Sequence, residues 1–139
     1  MAVWQFPFAL IYQNRERFPL DYVLNESSRA VLAQTLAPRA HWCEKVELYG
    51  DLSGTCMEIS IEGTTPEEIF VRLHVGALSR KEVDAILEFA AVNQLNLFYK
   101  GQVCKPSWDN LKAWILASDA CRFCENPEEF LETLISPSK

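Results

Sequence analysis

The residues from 43 to 75 constrain this fold more than any other stretch. Met57-Glu58-Ile59-Ser60-Ile61-Glu62 alternates apolar and polar side chains with a period of two, the signature of a strand with one buried face. Ile69, Val71, Leu73 and Val75 repeat the pattern, with Phe70, Arg72 and His74 between them. Val46 and Leu48 do the same, with Glu47 and Tyr49 opposite. Asp51-Leu52-Ser53-Gly54 has the chemistry of a hairpin turn, and Gly63-Thr64-Thr65-Pro66 joins the second run to the third. Three consecutive strands are expected. With the apolar sets turned to a core, Glu47, Tyr49, Glu58, Ser60, Glu62, Phe70, Arg72 and His74 share the other face.

Charge gathers in the same stretch. Residues 44 to 68 hold Glu44, Glu47, Asp51, Glu58, Glu62, Glu67 and Glu68 against Lys45 alone, which accounts for the whole chain's net charge of −6. Like charges on one surface favour association with a basic partner, and the plainer alternative is a solvated face kept charged for solubility. The chain has no basic stripe of the kind a nucleic-acid backbone requires, so nucleic acid is excluded as a partner.

At 139 residues, 49% apolar and 23% charged, the chain fits one globular domain over 1–139. No apolar run approaches the length of a membrane span, and no signal-peptide pattern opens the sequence. Five cysteines without framework spacing read as free thiols in a reducing cytoplasm.

The flanking elements follow from local signals. Val3 to Gln13 is a β-rich run, edge-like at its start because Pro7 cannot donate to a ladder. Asn25 to Ala37 reads as a helix capped by Asn25, Ser27 or Ser28 and stopped by Pro38. Ser79-Arg80-Lys81-Glu82 fits a capping box opening a second helix, with Val83, Ile86, Leu87 and Ala90 as its apolar stripe. Leu95 to Tyr99 is a short strand turned by Lys100-Gly101, and Gln102 to Lys105 extends it as a hairpin. Ser107 to Ala120 and Asn126 to about Ile135 are the last helices. The expected class is α+β: a mainly antiparallel sheet with helices packed on one face, in the order β-α-β-β-β-α-β-α-α.

Catalytic chemistry finds little support. Cys121-Arg122-Phe123-Cys124 is the one motif with a mechanism attached, a redox dithiol or half of a zinc site. It falls between two helices with no second close pair, so packed thiols are the simpler reading. His74 near Glu58 or Glu62 would make a base–carboxylate pair, yet no motif places a nucleophile. His41, beside Trp42, reads as a loop cap. Neither a cofactor nor a metal is expected.

In size, charge and element order the chain resembles two groups of small bacterial proteins. One is the immunity proteins that pair with secreted toxins, which are small, acidic and cytosolic and block a toxin by binding it. The other is the type III secretion chaperones, acidic homodimers with the order α-β-β-β-α-β-β-α, onto which residues 25 to 120 can be laid. The N-terminal strand and the last helix depart from that order. The immunity resemblance implies a non-catalytic inhibitor of a basic protein. The acidic contacts would be Glu44, Glu47, Asp51, Glu58, Glu62 and Glu67. Trp42, Tyr49 and Phe70 would be the anchors, with Arg72 and His74 on the same face.

Overall fold

In the computed structural model, residues 5–15 and 17–118 are described. The strands are β1 (Gln5–Tyr12), β2 (Pro38–Arg39), β3 (Val46–Gly50), β4 (Cys56–Glu62), β5 (Thr65–His74), β6 (Leu95–Tyr99) and β7 (Gln102–Cys104). The helices are α1 (Glu26–Thr35), α2 (Arg80–Val92) and α3 (Trp108–Leu116), with a single 3-10 turn at Val75–Ala77. All seven strands join one sheet in the order β2-β3-β4-β5-β1-β6-β7, and every pairing is antiparallel. The fold is α+β, as the alternation and the short turns predict.

The N-terminal strand is central. β1 lies between β5 and β6, but β6 pairs with it only from Ala9 onward, so Pro7, opposite Arg72 of β5, sits where the other side of the strand has no ladder partner, edge-like as its missing N–H predicts. The edges of the sheet are the two-residue β2 and the three-residue β7. β2 has no periodicity to announce it, being too short for a pattern.

Each helix start uses the expected chemistry. The Asn25 side chain accepts from Ser28 N at 2.8 Å, Ser79 Oγ from Glu82 N at 3.4 Å, and Ser107 Oγ from Asn110 N at 3.3 Å. The β6–β7 hairpin turns through Lys100 (φ 48°) and Gly101 (φ 80°), both left-handed as a two-residue type I′ turn requires.

One hydrophobic core lies between the helices and one face of the sheet. Phe6, Phe8 and Leu10 of β1 meet Val83, Ile86 and Phe89 of α2 there. Leu32 of α1, Met57 and Ile59 of β4, Ile69, Val71 and Leu73 of β5, Leu95 and Leu97 of β6, and Leu111 and Ile115 of α3 belong to the same core. α1 and α2 are tied by a buried amide. Asn93, just past α2, accepts from Asn25 N at 2.8 Å and donates to Ser28 Oγ at 2.9 Å and to Phe89 O at 2.8 Å. Its carbonyl takes the Tyr22 hydroxyl at 2.7 Å. Asn93 thereby joins the end of α2 to the start of α1 and to Tyr22 through four hydrogen bonds.

The register corrects one expectation. Leu48 stands opposite Glu58, and Glu58 opposite Phe70, so these three share a face. Tyr49 stands opposite Met57, and Glu47 opposite Ile59, so both point to the helix side. β3 is therefore turned over relative to the expected arrangement. The reason is local pairing. Glu47 meets the Arg29 guanidinium of α1 and accepts from the Tyr49 hydroxyl at 2.8 Å, which lets a carboxylate lie under a helix. Burial works against the Arg29 charge, but its hydrogen bonds to Tyr49 and Glu47 outweigh this and raise its pKa.

The last expected helix, from Asn126, and the Cys121–Cys124 pair lie outside the described residues.

Candidate functional site on the open sheet face

With α1, α2 and α3 on one side, the other face of the sheet is built from alternate residues of each strand. Its half over β3 and β4 is roofed by the loop of residues 40–45. His41 Nδ1 accepts from Cys43 N at 2.9 Å, which leaves Nε2 as the protonated nitrogen, and Nε2 lies 3.0 Å from Glu58 Oε2. Arg72 Nη1 holds the other Glu58 oxygen at 2.7 Å. The His41 and Glu58 side chains are only 4% and 17% exposed. Leu48 and Cys56 are buried on this face and are not part of the helix-side core. Burial pushes the Cys56 thiol pKa up, against the opposing pull of Arg72.

The one lone pair of the His41 ring is taken up by the Cys43 amide and its N–H by Glu58, so the bonds observed tie the loop to the sheet. Of the two carboxylates that a base–carboxylate pair with His74 would use, Glu58 is engaged elsewhere and Glu62 bridges to Lys45. Glu58 goes to His41 and Arg72, while His74 lies four residues along β5 from Phe70, with its backbone N–H donated to Thr55 Oγ1 at 3.0 Å. The Cys43 bond makes His41 the loop cap that the sequence suggests, whereas its tie to Glu58, 17 residues away in the chain, leaves no local signal. The Asp-turn at 51–54 has a parallel role at the neighbouring corner, where the buried Gln5 amide donates to Leu52 O and Gly54 O at 2.9 and 2.7 Å.

Among the described residues no helix or loop roofs the half over β5, β1, β6 and β7. Here Phe70, Ala9, Phe98 and Val103 form one row across four strands. Phe70 is 44% and Val103 39% exposed. A hollow of about 420 Å³ runs over this row and ends against Glu67, Glu68 and Arg15.

The expected acidic contacts separate into three groups. Glu47 is paired with Arg29, and Glu58 with Arg72 and the His41 ring N–H. Asp51 is occupied in its own turn, its Oδ1 accepting from Ser53 N at 3.0 Å and from Ser53 Oγ at 2.8 Å, bonds that lower its pKa. Glu44, Glu62 and Glu67 are exposed, with Glu62 bridged to Lys45 at 3.5 Å. Among the aromatic anchors, Trp42 is 89% exposed on the roofing loop, its ring 5.2 Å from that of His41. Tyr49 is buried on the helix side, where burial raises its phenol pKa.

Among the described residues no three His, Cys, Asp or Glu side chains gather as metal ligands, and no helix is long and apolar enough to cross a membrane. Comparison with protein-family models, with curated proteins and with solved structures finds no match to this chain.

Proposed function

We propose that this chain is a non-catalytic protein-binding module and, within that class, an immunity protein that inhibits a cognate bacterial toxin. One observation carries the reading: the sheet face opposite the helices keeps Phe70 and Val103 in solvent, beside the carboxylates of Glu67 and Glu68. A charged rim around an apolar patch is how soluble proteins present a docking surface. Its sign favours a basic partner and speeds the encounter. The contact set contracts accordingly. Glu47, Glu58 and Tyr49 hold the fold together, while Phe70, Trp42, Glu44, Glu62 and Glu67, with Glu68, remain for the partner. Such an inhibitor works in the cytoplasm, before its toxin is exported.

The test is co-expression with the product of the neighbouring gene. If that product arrests growth, this chain restores it, and Phe70→Ala combined with Glu67→Lys and Glu68→Lys removes the protection while the circular dichroism spectrum is kept. A native chain that neither binds the product nor protects against it refutes the reading.

A second reading, a type III secretion chaperone, draws on the observed element order. From α1 to α3, setting the two-residue β2 aside, it runs α-β-β-β-α-β-β-α. The insertion of β1 between β5 and β6 departs from that order. This reading requires a homodimer, so a monomer by light scattering removes it.

A further inference from the structure

Ala9 is the low point of the open face. It pairs with Phe70 on one side and Phe98 on the other, so two rings flank a methyl group in one row. Two strand spacings set these rings' backbones about 10 Å apart. Val103 extends the row beyond Phe98, and Ile11, two residues along β1, closes the hollow on the same face. A space of this width and lining fits a single branched or aromatic side chain.

The rim is shaped by a defect in the ladder. Ser60 pairs with Glu68 and Ile61 with Pro66, so Glu67 is an extra residue in β5. In a regular strand, consecutive side chains point to opposite faces; a bulge breaks that rule. Here it presents two consecutive carboxylates, both exposed and both lining the hollow. Neither makes an ion pair among the described residues. Arg15 lies at the same end, turned over the Tyr12 ring at 5.8 Å, and bridges neither of them. Among the described residues the hollow therefore combines an apolar floor with a rim of two carboxylates and one arginine, net negative.

We propose that the hollow over Ala9 receives an apolar side chain of a basic polypeptide partner, with an adjacent Lys or Arg of that partner on Glu67 and Glu68. This rests on the reading of the open face as a protein-binding surface and specifies what it binds. A second copy of the chain is disfavoured as occupant, because the lining of the hollow brings two carboxylates and one arginine from each copy, a net negative charge on both sides.

The test uses the full chain, labelled with ¹⁵N, and three synthetic probes: alternating Arg-Leu, Arg-Ser and Glu-Leu hexapeptides. Arg-Leu is expected to shift the amides of Ala9, Phe70, Phe98 and Glu68 at millimolar peptide. Ala9→Leu fills the hollow from within and suits a strand, and it weakens that binding at least tenfold. Glu67→Lys with Glu68→Lys, at two exposed positions, does the same and serves where Ala9→Leu fails to fold. Equal shifts from Arg-Ser, binding unaffected by Ala9→Leu, or no shifts at all would overturn the proposal. So would concentration-dependent shifts at these amides without peptide, which would make a second copy the occupant. Protection by the native chain that survives Ala9→Leu overturns this inference and leaves the immunity reading standing. Arg-Leu binding at the hollow without protection supports the inference and removes the immunity reading.

Discussion

His41 and Glu58 are joined across 3.0 Å beneath a loop that exposes almost all of Trp42. The bond fastens the loop of residues 40–45 to the sheet, and Arg72 fastens the same carboxylate to β5. His41→Ala is expected to cost about 1–2 kcal/mol and Glu58→Ala about 2–3 kcal/mol, the latter because Arg72 also loses its partner. The double variant should cost less than the sum. Urea denaturation of the four proteins measures this coupling, and strict additivity would show that the bond does not hold the loop.

Alkaline pH should loosen the contact between α1 and α2. The Tyr22 hydroxyl donates to Asn93 O, and burial, with a smaller contribution from Tyr12, raises its pKa far above the ordinary value. For a group whose pKa is raised on folding, the stability is fully present below the unfolded pKa, about 10 for tyrosine, and is lost as pH rises beyond it. Tyr22→Phe should lose about 1 kcal/mol at neutral pH and show a shallower decline above pH ~10. The readout is the urea midpoint against pH; parallel curves for the two proteins would contradict the assignment. Tyr49, raised in the same direction by burial, leaves a residual slope in the variant.

Two glycines with positive φ should respond very differently to alanine. At Gly50 (φ +93°) an added Cβ would lie 2.4 Å from Thr55 O, a backbone atom that cannot give way. At Gly101 (φ +80°) nothing lies within 4 Å, so only the dihedral is penalised. Gly101→Ala should cost about 1–2 kcal/mol, and Gly50→Ala at least about 3 kcal/mol. Comparable thermal shifts for the two variants would refute the argument.

Thiol labelling should separate Cys43 from Cys56. Cys43 is partly exposed on the roofing loop, whereas Cys56 is fully buried and its burial favours the unreactive protonated thiol. Iodoacetamide at neutral pH is expected to modify Cys43 in the native protein and Cys56 only after denaturation. Peptide mass mapping distinguishes the two, and native modification of Cys56 would mean that the Glu58 side of the sheet opens readily.

Much of the architecture could be read from alternation and punctuation. The period of two at residues 57–62 and 69–75, the caps at Asn25, Ser79 and Ser107, and the Lys100-Gly101 turn all reflect local physics. What a period cannot say is which of its two sets is inside. In β3 both faces are covered, one by α1 and the other by the roofing loop, so Leu48 and Tyr49 are both buried. Arg29 made the helix side tolerable for Glu47, and nothing near Glu47 in sequence announces a partner 18 residues upstream. The exposed positions of Phe70 and Glu67 were anticipated. The hollow was not, because it depends on Ala9 lying between strands that are distant in sequence. Nor was the bulge, because only the ladder reveals that Glu67 is supernumerary.

The short outer strands also limit how anything can join this protein. Pro38 begins a two-residue edge and β7 offers three residues at the other, so among the described residues neither margin offers a long backbone ladder to a visiting strand. An associating molecule has to read side chains instead of amides and carbonyls. Recognition of that kind can be retuned one substitution at a time, without any shift of strand register, so two interacting chains could diverge together while the sheet beneath them stays the same.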